Sequence, residues 1–168
     1  MSQNTETYSG LPAKHITAAE VTYAPDKINT ELPTVFLAGS IEMGKAKDWQ
    51  KTLEKLLKDF QVMLLNPRRE DWDSSWEQTI ENDQFREQVE WELDSLEKAD
   101  LIVLYLDPET QSPISLLELG LHARSGKLIV CCPEGFYRKG NVDIVCNKYK
   151  VPMVDSLESL AEKIKELS

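Results

Sequence analysis

The sequence predicts an α/β fold, a three-layer, flavodoxin- or Rossmann-like, doubly wound parallel sheet of about five strands. The main observation is the regular alternation of short apolar runs with segments whose apolar residues recur at helical spacing. A second is the run LIVLYL at residues 101–106, which is apolar and β-branched, as buried parallel strands are. The third is the length of 168 residues, which suffices for one domain with its own core.

The first half of the chain supplies two strands and two helices of this sheet. Residues 1–33 have no strong periodicity and are interpreted as an N-terminal extension, with a short strand at 19–23 on an edge. The domain itself is expected to span 34–168. Its first elements are a strand at 34–38, a helix at 45–60, a strand at 62–65 and a helix at 84–98. A long polar stretch, residues 68–82, separates the last two.

The second half continues the same alternation around the apolar run at 101–106. The predicted elements are a central strand at 101–106, a helix at about 115–124, a strand at 127–132, a polar loop at 133–147, a strand at 151–154 and a closing helix. Gly126 ends the first of these helices, and Asp155 or Ser156 caps the closing one. Strands that alternate with helices in this way pair in parallel through right-handed crossovers.

Charge and cysteine content restrict the class of protein. Nineteen basic and 29 acidic residues give a net charge of −10, which argues against a nucleic acid or an anionic membrane as a partner. No segment has the length of a membrane-spanning helix or the pattern of a signal peptide. Cys131 and Cys132 lie in an apolar run and are interpreted as buried thiols. A cytoplasmic protein without a cofactor or a metal ion is therefore expected.

Glu118 is the first candidate for chemistry, because it follows the central strand at the rim where α/β sheets bind ligands. The hydroxyls of Ser112 and Ser115 are expected to cap its helix, which places Glu118 in the first turn. There the helix dipole would keep the carboxylate ionised, as a nucleophile requires. The alternative is an ordinary acidic residue that stabilises the start of its helix.

Three motifs in order resemble the nucleoside 2-deoxyribosyltransferase-like family, which includes 2′-deoxynucleoside 5′-monophosphate N-hydrolases. The first is FLAGSI at residues 36–41 followed by Gly44, and the second is LELG at 117–120. The third is ELDSLEKAD at 92–100, an acidic residue eight positions before the AD pair. The resemblance spans roughly residues 35–130 and implies an enzyme that cleaves or transfers an N-glycosidic bond of a nucleoside or nucleotide.

The resemblance also implies catalytic roles for three acidic residues. Glu118 matches the glutamate nucleophile of the family, and its carboxylate can stabilise or attack the cationic sugar carbon. Glu92 matches the position of the acid that protonates the leaving base, although the family usually has Asp there. Asp94 is the alternative acid. Both lie on a helix with many acidic residues, and such a run is often only a solvated surface.

The same resemblance implies a set of substrate-binding residues. Gly39, Ser40 and Ile41 form the loop after the first strand, and Ser112 lies where phosphate-binding members have a serine. Glu42 stands where those members tend to have Arg, so a bound phosphate would require Arg68 or Arg69 to compensate. Tryptophans 72, 76 and 91 are candidates to stack on a base.

A final set of implications concerns the assembly and the alternatives. Asn141 is similar to an asparagine that reaches the site of a neighbouring subunit, and the resemblance suggests a homo-oligomer, at least a dimer. Two other interpretations stay open. One is an NAD hydrolase that resembles TIR-type domains, and the other is a non-catalytic nucleotide-binding or interaction module with the same fold. The preferred base and sugar, and the choice of water or a second base as acceptor, do not follow from the sequence.

Overall fold

A computed structural model describes residues 18–42 and 46–167 of the chain. Within them lie six strands: β1 (Glu20–Tyr23), β2 (Thr34–Gly39), β3 (Met63–Asn66), β4 (Leu101–Tyr105), β5 (Leu128–Cys131) and β6 (Met153–Val154). The helices there are α1 (Trp49–Leu56), α2 (Asp83–Lys98), α3 (Pro113–His122), α4 (Lys139–Tyr149) and α5 (Leu157–Leu167). All strand pairs are parallel, in the order β1-β3-β2-β4-β5-β6.

Helices cover both faces of the sheet, which confirms the predicted three-layer α/β fold. On one face, Leu96 of α2 and Leu119 of α3 pack with Phe36 and Leu104 of the sheet, and Cys146 brings α4 into the same cluster. On the other face, residues of α1 and α5 pack on the sheet; among them are Leu53, Leu160 and Ile164. Each strand of the centre therefore buries both of its faces, as its continuous apolar sequence requires.

The direction of the connections reverses between β2 and β4, at the centre of the sheet. From β2 the chain goes to β3 on one side, then crosses back over β2 to β4 on the other. In the register, Phe36 of β2 lies opposite Leu65 of β3 and Ile102 of β4. In doubly wound sheets, the crevice at the carboxyl ends of two such strands is where ligands bind.

The sheet has one strand more than the five of the predicted domain, because β1 pairs with β3 at the edge. Glu20 lies opposite Met63 and Tyr23 opposite Asn66. This confirms the edge strand expected at residues 19–23. Residues 1–17 of the predicted extension lie outside the described residues, as do Gly44 and Lys45, the latter the predicted start of the second element.

The prediction of a loop at residues 133–147 is wrong, because α4 begins inside it at Lys139. Val142 and Cys146 form a buried i, i+4 pair on its inner face. Arg138 precedes the helix without a side-chain cap, and Gly140 and Asn141 are weak helix formers. This helix therefore forms because Val142 and Cys146 are buried against the sheet. The helix propensity of the segment is low, so the sequence alone does not predict it.

Two further helix boundaries differ from the prediction. The described α1 begins at Trp49, where the Asp48 carboxylate caps it by accepting the N–H of Lys51 at 3.1 Å. Helix α3 begins at Pro113 instead of residue 115, since proline fits the first helical position. Glu118 therefore lies in the second turn of α3 and not in the first.

The cysteines are structural, as the sequence predicts. Cys131 and Cys132, at the end of β5, are buried, and burial raises their thiol pKa values to about 12 and about 11. Both thiols are therefore protonated and unreactive at neutral pH.

Among the described residues, no helix has the length and apolar character that crossing a membrane demands.

Candidate active site

The crevice is built on a close approach of β2 to β4 at Gly39. This residue has a φ of +137°, and a Cβ atom there would lie 2.2 Å from the carbonyl oxygen of Tyr105. Only glycine permits both the backbone angle and the contact. The predicted site residue Gly39 thus brings the ends of the two central strands together.

Ser40, the next predicted residue, is 1% exposed and fixes the loops around it. Its N–H donates to the Tyr105 carbonyl at 2.9 Å, and its Oγ accepts the N–H of Asp107 at 2.8 Å. The same Oγ lies 2.9 Å from the hydroxyl of Thr110 and 2.5 Å from that of Ser112. Ser40 therefore links β2 to the loop between β4 and α3.

Ser112 joins this hydroxyl cluster and does not cap α3, so the expected capping by its side chain is wrong. Its backbone is left-handed, with a φ of +48°, and its Oγ contacts Ser40 and Thr110. The carboxylate of Glu42 comes from another loop instead, and accepts the N–H groups of Gln111 at 2.5 Å and of Ser112 at 2.8 Å. Ile41, between Ser40 and Glu42, is half-buried.

Glu118 is buried, with 8% of its surface exposed. Burial, and to a smaller extent the negative charge of Glu92, raise the pKa of its carboxyl from the ordinary 4.5 to about 8. Carboxyl groups whose pKa is raised by burial and by a second carboxylate concentrate at functional sites. The structure thus places the first two predicted catalytic residues together.

Glu92 lies on α2 and faces Glu118 with a raised pKa of its own, about 7. Burial is the cause, and a hydrogen bond from Gln88 opposes it. Gln88 Nε2 donates to Glu92 Oε1 at 2.7 Å and to the carbonyl of Pro67 at 2.8 Å. Gln88 was missed in the sequence, although its spacing of four residues before Glu92 places the two side chains on one helix face.

The two carboxyl groups share protons, since two adjacent carboxylates cannot both ionise cheaply in a buried site. The sequence predicts a permanently ionised Glu118, held so by the helix dipole. That explanation is wrong, because Glu118 lies beyond the first turn and burial raises its pKa. Near neutral pH the pair therefore retains a proton.

Two other predicted residues, Asp94 and Arg68, contact partners outside this pair. Asp94 is exposed on the outer side of α2, where its carboxylate is 3.5 Å from Lys98 Nζ. Arg68 holds the start of α1: its Nε donates to Gln50 Oε1 at 2.9 Å and lies 3.4 Å from Asp48 Oδ1.

The polar stretch after β3 is stabilised by its own contacts. Arg69 pairs with Asp71 at 2.7 Å and Glu87 at 3.0 Å, and its guanidinium lies 5.2 Å from the ring centre of Trp76. Trp72 packs edge-on against Trp76 at 5.1 Å. A third tryptophan, residue 91, donates its indole N–H to the carbonyl of Asp26. Packing accounts for the tryptophans that the sequence offered as partners for a base.

Asn141 is exposed at a groove between α3 and α4, on the outer side of the helices. Leu116, Leu119 and Gly120 line the α3 side of this groove. Neither Glu92 nor Glu118 is among the residues that line this groove. In the described part of the chain, no group of three His, Cys, Asp or Glu side chains is arranged to hold a metal ion.

Fold and site together define an α/β protein of flavodoxin-like topology, with a buried and a half-buried glutamate where the strand connections reverse. The chain belongs to the nucleoside 2-deoxyribosyltransferase-like family, whose model matches residues 32–136. Membership indicates nucleoside glycosyl transfer or hydrolysis. The match covers the strands and helices that carry Ser40, Glu92 and Glu118.

A solved structure supports the architecture. The crystal structure of a conserved protein from Enterococcus faecalis V583 superposes with a TM-score of 0.55 and covers 82% of this chain and 99% of its own. The sequence identity is 16%, so this likeness concerns the fold alone. No curated protein matches the chain significantly.

Proposed function

We propose that this protein cleaves or transfers the N-glycosidic bond of a nucleoside or nucleotide, with Glu118 as the nucleophile and Glu92 as the general acid. The observation that carries the proposal is the pairing of the buried Glu118 with the half-buried Glu92 after the central strands, where desolvation raises the pKa of both carboxyls. A pair that holds one proton has one group able to attack and one able to donate.

In the first step, a carboxylate oxygen of Glu118 forms a bond to C1′ of the sugar while the C1′–N bond breaks. The electron pair of that bond goes to the base nitrogen, and the proton of Glu92 neutralises it. The reaction requires the proton on Glu92 and a carboxylate on Glu118. Positive charge that develops at C1′ stabilises the Glu118 carboxylate and therefore draws the proton to Glu92.

In the second step, water or the nitrogen of another base attacks C1′ of the glycosyl ester. Glu92, now a carboxylate, takes the proton of the attacking group, and the bond to Glu118 breaks. Glu118 returns as a carboxylate, and the pair again holds one proton. Water as acceptor gives a hydrolase, and a base gives a transferase.

Gln88 supports the assignment of Glu92 as the acid. It donates to Glu92 Oε1 and so favours a proton on the other oxygen, Oε2. The amide of Gln88 is 4% exposed, and its own Oε1 has no hydrogen-bond partner among the described residues. A buried acceptor of this kind is suited to an N–H or O–H group of a ligand.

Release of free base is the test of this proposal. The protein is incubated with nucleosides, nucleoside monophosphates and NAD, and free base and sugar are separated by chromatography. We expect free base from at least one nucleoside or monophosphate, and exchange of the base when a second one is added if the protein is a transferase. Release from NAD alone would favour the TIR-like alternative, and release from none would favour a binding module.

We also propose that the protein is a homo-oligomer that joins through α3 and α4. Three apolar side chains of α3 are more than half exposed in a row: Ile114, Leu117 and Leu121. Gly120, beside them, has no atom within 4 Å of where its Cβ would be. A glycine inside a helix costs about 1 kcal/mol relative to alanine. A glycine at this position would allow the backbone of a second copy to approach α3 closely, which explains why the less favourable residue is present.

A further inference from the structure

We propose that Glu42 determines specificity by occupying the anion-binding end of the site, which reserves it for substrates with an uncharged 5′-hydroxyl, nucleosides rather than nucleoside monophosphates. This inference rests on the proposed function, because it assumes that the sugar lies at Glu118. The sequence leaves open whether the substrate is a nucleoside or a nucleoside monophosphate, and this inference selects the nucleoside.

The first observation is the contact that the Glu42 carboxylate makes across the crevice. Its Oε1 accepts two backbone N–H groups, those of Gln111 and Ser112, in the turn that opens α3. Converging N–H groups at the start of a helix are the protein feature that best binds a phosphate oxygen. Here a carboxylate of the chain itself lies where such an oxygen would bind.

The backbone of Glu42 is adapted to this contact. Its φ is +41°, a left-handed angle that a non-glycine residue rarely adopts. The conformation turns the side chain toward a turn that is 70 positions further along the sequence. The two hydrogen bonds to Glu42 offset the strain of that angle.

The hydroxyls next to this contact are also engaged within the protein. Ser40, Thr110 and Ser112 bond to one another, and each is at most 6% exposed. Serine hydroxyls at this place suggest phosphate binding from the sequence alone. In the structure they hold the two loops together, and a phosphate would have to break the cluster.

No arginine of the polar stretch compensates the negative charge of this region. Arg68 is paired with Asp48, and Arg69 with Asp71 and Glu87. The carboxyls of Glu42, Glu92 and Glu118 all lie in this region, and both arginines of the polar stretch, cations of the kind that phosphate sites use, are bound to other acids. A phosphate dianion would meet repulsion there, and a neutral hydroxyl would meet acceptors.

The position of Glu42 relative to Glu118 fits the 5′ end of a substrate. Ser112 precedes Glu118 by six residues on α3, which corresponds to about 9 Å along the helix axis. A sugar with C1′ at Glu118 can direct its opposite end toward the start of α3. The Glu42 carboxylate then accepts a hydrogen bond from a 5′-hydroxyl, which a phosphate ester lacks.

Inorganic phosphate tests the anion site without any need for turnover. The melting temperature of the wild type is measured over a range of phosphate concentrations at constant ionic strength. We expect no saturable rise for the wild type and a saturable rise for Glu42→Ala, because removal of the carboxylate frees the two N–H groups. Glu109→Ala is the matched control, since Glu109 is an exposed acid on the loop between β4 and α3 that Glu42 contacts. It should behave as the wild type.

A second variant covers the case in which Glu42→Ala does not fold. Glu42→Gln keeps an oxygen that accepts both N–H groups and removes only the charge. The rise in melting temperature with a 2′-deoxynucleoside is compared with the rise for its 5′-monophosphate. The apparent affinity ratio of monophosphate to nucleoside should increase by roughly tenfold or more in Glu42→Gln. An unchanged ratio would show that Glu42 is only a cap of α3.

Failure of this inference is distinguishable from failure of the proposed function. A saturable rise of the wild-type melting temperature with phosphate, or faster base release from monophosphates than from nucleosides, overturns the role of Glu42 and leaves the N-glycosidase proposal intact. Absence of base release from every substrate refutes the N-glycosidase proposal, while the phosphate titration of the three proteins still decides whether Glu42 excludes the anion.

Discussion

The two glutamates of the site make folding stability depend on pH in an unusual direction. A carboxyl with a raised pKa binds its proton more tightly in the folded state than in the unfolded chain. For Glu118 this holds between its ordinary pKa of 4.5 and its folded value of about 8. In this window the folded protein retains protons that the unfolded chain releases, so the free energy of unfolding falls as pH rises.

Replacing Glu118 by glutamine should therefore stabilise the protein at pH 8 by at least about 1 kcal/mol and have a much smaller effect at pH 5. The amide keeps the shape of the side chain and removes the charge that burial disfavours. Urea unfolding at the two pH values measures the difference. Asp94→Asn, an exposed acid on α2, is the control and should change neither value. An equal effect of Glu118→Gln at both pH values would contradict the raised pKa.

Gln88 should affect the pH dependence of catalysis through Glu92. Its hydrogen bond lowers the pKa of Glu92 against the effect of burial. In Gln88→Leu this pKa should rise, and because a general acid must be protonated, the loss of kcat/KM at high pH should move to higher pH. Gln84→Leu, an exposed position one turn earlier on α2, is the control. A high-pH limb that stays in place would remove Gln88 from the mechanism.

Among the secondary-structure elements, β2 and β4 form the contact on which the site depends, at Gly39 and Tyr105. Gly39→Ala places a methyl group 2.2 Å from the Tyr105 carbonyl oxygen, a contact that requires the strand ends to separate. We expect a loss of more than about 3 kcal/mol of unfolding free energy. Gly140→Ala on α4 is the matched control, since its Cβ would meet no atom within 4 Å. It should be neutral or stabilising, and equal effects of both substitutions would contradict this account.

The strands could be predicted from the sequence, whereas the ends of the helices could be predicted less accurately. Runs such as that of β4 are apolar at nearly every position, and only a buried strand of this length explains them. The start of α3 was misplaced by two residues because serines 112 and 115 look like caps, whereas Pro113 begins the helix. Helix α4 was missed because its buried pair, Val142 and Cys146, is masked by weak helix formers.

For the molecule as a whole, the parallel, doubly wound sheet could be predicted from the sequence, and the contacts between distant loops could not. Alternation of strand and helix fixes a parallel sheet with a switch point, and family motifs place Glu92 and Glu118 beside it. The bond from Glu42 to Ser112 joins residues 70 positions apart and depends on two backbone angles. No periodicity or capping rule contains that information.

The exposed apolar face of α3 leads to a testable prediction about the oligomeric state. Leu117→Glu places a charge in the middle of the exposed row and should convert the proposed oligomer to a monomer, because a buried unpaired charge opposes association. Size-exclusion chromatography with light scattering measures the mass. Lys163→Glu, on the opposite layer of the molecule in α5, is the control and should leave the mass unchanged. A monomeric wild type would contradict the proposal.

The role of Glu118 as a nucleophile is tested most directly by base release from the best nucleoside or nucleotide of the panel, with rapid quenching and mass analysis of the peptide that contains Glu118. The account predicts a glycosyl adduct on that peptide in the wild type. It also predicts a fall in the release rate of at least roughly a thousandfold in Glu118→Gln, with near-normal release in Asp94→Asn. Near-normal release by Glu118→Gln, or loss of release in Asp94→Asn alone, would contradict it.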